Sequence, residues 1–347
     1  MSGAPASGAS ETRKAPRFLI VRLGSLGDII HAIPAAAAIR AALPSAIIDW
    51  LVDPRYVDLI HMVTAVDHAV PVDPRAGMVR LFATLSALRK RKYKIAFDFQ
   101  GLIKSATMAR FAGAERLVGF PQAQLREKAA RAFYTDAPQS VHAVHVIRKN
   151  LELVAALGIE TGEPAFPLNV PRTPAVEDTE SRFGGAPFAL INPGAAWPNK
   201  RWPPDRYGLV AAAIRERFGW PSLVLWGPKE QAQAMAVVDA SNGAAVLAPP
   251  TSIVDLFGIA KAARIAISGD TGPLHIAGAV GTPLVALFGP TFAERNGPWS
   301  KSDIVVKRTD RCECLYQREC HVDAPCIDDI AVEEVVAAVA KRVETNG

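Results

Sequence analysis

The sequence predicts an α/β protein made of two doubly wound, Rossmann-like parallel-sheet domains that face each other across a cleft. Its 347 residues are enough for about two domains of ~150 residues each. Short apolar strand runs alternate regularly with helical stretches along the chain, and a proline-rich gap interrupts the alternation midway. Hydrophobic residues make up 50% of the chain and charged residues 21%, which is ordinary globular usage. That composition excludes disorder, collagen and coiled coil for the chain as a whole.

Residues 1–16 are small, polar and proline-bearing and read as a disordered tail. They lack the apolar core of ~7–15 residues that a secretory signal needs, so a cytoplasmic protein is expected. Residues 18–23 (FLIVRL) form a buried-strand run, residues 24–28 (GSLGD) a turn, and residues 29–43 an alanine-rich helix. Further strands are expected at 47–52, 95–99 and 117–120, with a helix at 78–91, which gives parallel strands joined by helical crossovers. Five prolines fall between residues 158 and 187, and the domain boundary is placed near residue 172, dividing the chain into 17–172 and 173–347. The alternation then restarts with FALINPG, a helix at 205–218, SLVLWG, a helix at 229–240, AAVLAPP, a helix at 253–262, IAISGD, a helix from 272, and PLVALFG. A terminal helix at 330–343 has an apolar stripe and is a candidate to pack back across the domain junction. Residues 272–293 carry no charged side chain, but three prolines and four glycines divide the window into a short helix and a buried strand rather than a membrane span.

The net charge is only +5, yet residues 75–149 hold 15 Lys and Arg against four acids. Such a surplus attracts nucleic acid, an anionic membrane surface or an acidic substrate. No RNA-binding aromatic signature or zinc-finger spacing favours nucleic acid. The run at 89–94 also reads simply as a solvated basic face.

Open α/β sheets bind ligands beyond the C-terminal ends of their strands, so the strand-to-helix turns hold the candidate site residues. Asp28 stands at the first turn of a helix, where it is either an N-terminal cap or a general base for a hydroxyl proton. In the second half, SGDTGPLH at 268–275 has helix-start amides free to hold a phosphate, and His275 follows one turn later. The turn-rich loop from Asn192 offers Lys200 and Arg201 near the same strand ends, a place that fits a diphosphate. Glu230 ends another strand, where an acid can bond ribose hydroxyls. The GSLGD turn is not a dinucleotide fingerprint, although Asp49 lies at a tolerable distance for a ribose contact. No P-loop, HExxH, GxSxG or Asp-x-Asp pattern occurs, so any diphosphate is expected to be neutralised by Lys200 and helix N-termini without a metal. Cys312, Cys314, Cys320 and Cys326 cluster, but not in the two-pair CxxC zinc spacing; reduced structural thiols are the expectation.

Six ordered segments, VRLGSLGDIIHAIPA, DFQGLIKSA, NKRWP, WGPKE, SGDTGPLHIA and LFGPT, together resemble glycosyltransferase family 9, the ADP-heptose:lipopolysaccharide heptosyltransferases, and most closely the heptosyltransferase I branch. The resemblance spans nearly the whole chain. It implies a GT-B fold with the acceptor on the N-terminal side and the nucleotide sugar on the C-terminal side. It further implies no cofactor, an ADP-heptose donor, and inverting, metal-independent transfer with Asp28 as general base. On the donor it would place Lys200 at the phosphates, Glu230 at the ribose, and Asp270, Thr271, Gly272 and His275 around sugar and phosphate. The implied acceptor is the anionic Kdo region of a lipid A precursor at the cytoplasmic face of the inner membrane of a Gram-negative bacterium. Ser25, Gly27, Gln100, Lys104 and Arg126 are the candidates to meet it. Ala195 and Ala196 depart from the hydroxyl side chains that branch I commonly has before the lysine, and the cysteine cluster is similar to tails in other branches. A heptosyltransferase II-like acceptor and a GT-B-shaped nucleotide-sugar epimerase are the alternatives.

Overall fold

The computed structural model describes residues 15–345; the tail expected at residues 1–16 lies, for residues 1–14, outside them. In chain order, the first half runs β1 (Arg17–Val21), α1 (Leu26–Ala42), β2 (Ile47–Val52), α2 (Val57–Met62), β3 (His68–Pro71), α3 (Met78–Arg89), β4 (Ile95–Asp98), α4 (Ile103–Phe111), β5 (Arg116–Gly119) and α5 (Val146–Ala155). The second half runs α6 (Pro174–Arg182), β6 (Ala189–Asn192), α7 (Pro204–Phe218), β7 (Ser222–Val224), α8 (Gln231–Ala240), β8 (Ala245–Leu247), α9 (Ile253–Ala262), β9 (Ile265–Gly269), α10 (Gly272–Val280), β10 (Leu284–Phe288), α11 (Ala293–Asn296), β11 (Ile304–Lys307) and α12 (Val332–Glu344).

Two parallel sheets result, ordered β3-β2-β1-β4-β5 and β11-β10-β9-β6-β7-β8. In each, the chain moves outward from a central strand in both directions, so a crevice opens at the C-terminal edge where the winding reverses. β1, with Leu19, Ile20 and Val21 fully buried, is the central strand of the first sheet and leads directly into the GSLGD turn. β6 and β9 are central in the second and lead into the 193–200 loop and the SGDTG turn.

α1 is apolar on most of its circumference because it is enclosed on several sides, packing against α5 in its own half and α10 in the other. At that crossing a Cβ on Gly27 would stand 2.3 Å from the His275 ring, and one on Gly272 would stand 2.7 Å from Leu26. Only glycine permits so close an approach. A continuous buried cluster consequently runs from Ile29 and Ile33 through Leu274 and Ile276 to Phe288.

α12 does not cross the junction as its stripe allowed; it packs on α7, β10 and β11. Its Val335, Ala338 and Val339 fill the core of the second sheet, and buried Arg342 bonds Asp303 at 2.9 Å. The uncharged window 272–293 divides into α10 and β10, and among the described residues no helix is long and apolar enough to cross a membrane.

Candidate active site

Between the halves lies a cleft of about 950 Å³, walled by Asp28, Arg126 and Lys149 on one side and Trp197, Arg295 and Arg318 on the other. Asp28 is the third residue of α1, held at the rim by the strand–turn–helix unit. Its Oδ2 accepts from the Ser25 hydroxyl at 3.1 Å and pairs with the Arg22 guanidinium. Every one of those contacts falls on Oδ2, which leaves Oδ1 for a ligand. Arg22 is fixed in turn by donating to the Phe99 carbonyl at 2.6 Å.

The loop carrying that carbonyl is organised by Asp98. The carboxylate is fully buried and accepts from Tyr134 Oη (2.8 Å), Ser105 Oγ (2.9 Å) and the amides of Gln100 (2.9 Å) and Gly101 (3.2 Å). Burial dominates and pushes its pKa up, against those four donors. Gln100 fixes the loop to β1 by accepting from Leu23 N at 2.9 Å.

Across the cleft Asp270 is buried and receives Lys200 Nζ at 2.5 Å, Thr291 Oγ1 at 2.7 Å and Asn296 Nδ2 at 2.6 Å, with His275 Nε2 at 3.7 Å. Burial alone would raise its pKa, but the bond from His275 and the charge of Lys200 outweigh it and hold the carboxyl far below the ordinary range. Lys200 Nζ also lies 4.6 Å above the Trp197 ring. A lysine has three donors and Asp270 takes one, so two remain for an anion.

Beside it a smaller pocket of about 220 Å³ is lined by Asn192, Gly194, Trp226, Glu230 and Thr271. Glu230 accepts from Gly227 N at 3.0 Å, and a Cβ on Gly194 would collide with its carboxylate at 2.3 Å, so the glycine gives the acid its place in the wall. Asn192 orients Thr271 by donating to Oγ1 at 2.9 Å.

A family model described as glycosyltransferase family 9 (heptosyltransferase) matches residues 81–324. The chain belongs to glycosyltransferase family 9. It is a glycosyltransferase, similar to lipopolysaccharide heptosyltransferase 1 of Pseudomonas aeruginosa (28% identity over 88% of this chain and 87% of the relative). It is likewise similar to lipopolysaccharide heptosyltransferase 1 of Escherichia coli K12 (27% over 84% of this chain and 93% of the relative). Among solved structures, the family 9 glycosyl transferase from Veillonella parvula superposes with a TM-score of 0.84 at 20% identity, covering 95% of this chain and 98% of its own. The E. coli ADP-heptose lipopolysaccharide heptosyltransferase II gives 0.76 at 19%, covering 95% and 99%. The fold is GT-B.

In this family 9 chain, Ser25, Asp28, Gln100 and Arg126 line the large cleft, and Glu230 and Thr271 the smaller pocket. Gly27 does not reach the cleft, being buried against His275 as a packing residue. Lys104 is exposed on α4 and is not part of the cleft wall, because the next two residues, Ser105 and Ala106, take the buried side of the helix. Gly272 and His275 sit in the α1–α10 junction, where His275 meets the His31 ring at 4.4 Å between centroids. Asp49 faces away from any ligand: it is fully buried and bound by Tyr93 (2.6 Å), Arg91 (2.6 Å), His68 (2.8 Å) and Arg17 (3.1 Å), which removes the ribose contact considered for it. The four cysteines are free; Cys314 Sγ lies 3.3 Å from His321 Nδ1, and Asn199 Nδ2 reaches Cys320 Sγ at 3.6 Å. Among the described residues no group of three or more Cys, His, Asp or Glu side chains is arranged to hold a metal ion, although the four thiols lie near enough to one another to interact. Their segment instead delivers Tyr316 and Arg318 to the cleft.

Arg22, Lys149, Arg295 and Arg318 were not foreseen as wall residues. Arg22 was within reach, since it lies in the VRLGSLGD segment. The other three come from loop and helix positions with no local signal. With Arg126 they make five cations against one carboxylate, Asp28, among the described residues of the cleft wall. Burial, and next the charge of Arg295, depress the pKa of Lys149, a crowding of positive charge that an anionic ligand would relieve.

Proposed function

We propose that this glycosyltransferase moves a heptose from ADP-heptose, with inversion at the anomeric carbon, to a hydroxyl in the Kdo region of a lipid A precursor. The observation that carries the proposal is the placement of Asp28, a lone carboxylate in a five-cation wall, with one oxygen tied down and the other free. A carboxylate so placed can accept a hydroxyl proton, while the surrounding cations suit an acceptor that brings carboxylates and phosphates of its own. The names of the P. aeruginosa and E. coli relatives favour lipopolysaccharide and heptose.

In the proposed reaction the acceptor hydroxyl gives its proton to Asp28 Oδ1 as its oxygen attacks the anomeric carbon. The bond from that carbon to the diphosphate oxygen breaks on the opposite face, and ADP leaves with the electron pair. Through an oxocarbenium-like transition state the sugar becomes positive and the diphosphate more negative. Lys200, steadied by Asp270 and Trp197, would meet that developing charge. Glu230 and Thr271 would hold the nucleoside end, with Gly194 letting the acid approach. The division at residue 172 into an acceptor-binding and a donor-binding domain belongs to the same proposal, as does action at the cytoplasmic face of the inner membrane.

The test is ADP release from ADP-heptose, with and without a Kdo-bearing lipid A acceptor, in EDTA. Acceptor-dependent release that survives the chelator supports the proposal. Release from donor alone would point to another reaction class, and donor binding with no response to that acceptor would discard the acceptor assignment.

A further inference from the structure

The outer face of α3 and α4 exposes an apolar ridge. Val79 is 84% exposed and Met78 63%, and Phe82, Ile103 and Phe111 are each more than two-fifths exposed. These residues belong to one surface: α3 packs beside α4, and the Phe82 and Phe111 rings meet edge to face at 6.0 Å. Of the twelve residues of α3, only Leu85 and Leu88 are buried, with Leu81 partly so, and the helix rests on its sheet by that narrow stripe and turns Met78, Val79 and Phe82 to solvent. A contiguous apolar surface of this sort marks an interaction site.

Charge selects the partner. From residue 74 to residue 114 the chain carries nine Lys and Arg and a single acid, Asp98, which is fully buried. Arg80, Arg89, Lys90, Lys92, Lys104 and Arg110 are all exposed around the ridge. Cations outnumber the exposed acids beside these apolar side chains, Glu127 accepting from Ile103 N and Glu115 pairing with Lys94, and that balance matches the boundary between headgroups and acyl chains of an anionic bilayer. The ridge also adjoins the cleft, since Gly101 and Leu102, the residues entering α4, line the cleft wall beside Asp28.

We propose that the α3–α4 ridge is the membrane-docking surface of this protein, inserting Val79, Phe82 and their apolar neighbours among anionic phospholipids. The cleft mouth would then face the plane from which a lipid-borne acceptor is drawn. The proposal rests on the transferase assignment for its purpose but not for its test.

Binding of the full chain is measured by co-sedimentation with vesicles of phosphatidylglycerol and phosphatidylcholine, and with phosphatidylcholine alone. Wild type is expected on the anionic vesicles, with binding that weakens as salt rises. The double variant Val79→Glu, Phe82→Glu, and separately Arg80→Glu, Lys90→Glu, should each lose at least about tenfold in vesicle affinity. Their thermal midpoints should stay at the wild-type value, since all four side chains are exposed. With a deacylated soluble acceptor both variants should release ADP as wild type does, whereas transfer to vesicle-embedded acceptor should fall. Wild-type vesicle binding by the Val79→Glu, Phe82→Glu protein would overturn the proposal. So would a wild type that ignores vesicles but self-associates through the ridge by light scattering. Vesicle binding needs no sugar nucleotide, so failure of the transfer assignment and failure of the ridge appear in different assays.

Discussion

Asp28 and Asp270 both lie where a central strand turns into a helix, Asp28 as the third residue of α1 and Asp270 two residues before α10, yet their surroundings are opposite. The Asp28 side chain is 38% exposed, has its partners on one oxygen and opens on the large cleft. Asp270 is buried, has partners on both oxygens and is held ionised by His275 and Lys200. The same strand–turn–helix device thus yields a carboxylate available to a proton and a carboxylate that anchors a cation. What separates them is how many donors the rest of the molecule brings to each.

The sharpest way to break this comparison is Asp28→Asn. It is expected to lower kcat by ~10²–10⁴ while leaving unfolding and ADP affinity at the wild-type values, checked by ADP release and calorimetry. Turnover within about tenfold of wild type would remove Asp28 from the role of base. Asp270→Asn should act on stability instead, costing about 3 kcal/mol in urea unfolding because it leaves Lys200 and His275 without their buried partner. Gly27→Ala is expected to cost about 1–3 kcal/mol, since its Cβ would lie 2.3 Å from the His275 ring. Arg318→Ala should raise the acceptor KM by about tenfold with kcat and donor KM unchanged, a split that a role in folding would not produce.

The smallest effect concerns pH. Burial, and next the neighbouring His275, hold the His31 pKa well below its usual value, and burial likewise lowers that of His145. Both are kept neutral when folded, whereas the unfolded imidazoles take up protons near pH ~6.5. Acidification below about pH 6.5 therefore makes the unfolded chain the better proton binder, and unfolding free energy should decline there while staying level above it. His31→Leu should flatten that decline; an unchanged slope would move the cause elsewhere.

Local pattern exposed much of the framework. β2 at 47–52 and α9 at 253–262 fall where the sequence places them, because β2 is a mostly apolar buried run and α9 opens on a Ser252–Asp255 capping box. β3 and β11 were not legible: both are edge strands left partly exposed, without the buried apolar run that marks β4 and β5. The helical stripe of α12 was legible but not its destination, since an apolar face specifies burial without naming the partner. Asp28 and Glu230 could be read from turn position alone, while Lys149, Arg295 and Arg318 converge from distant segments onto one wall.

The sequence by itself determined the alternation of strands and helices, the two winding units and the loops that carry chemistry, because period, turn residues and helix-start acids act over a few neighbouring positions. Tertiary structure alone decided which of those acids stays available and which is locked by Lys200 and His275. It also brought Gly27 and His275 together in the α1–α10 junction and five cations into one cleft. Burial and charge act through space between residues far apart in the chain, and no local pattern records where those residues meet.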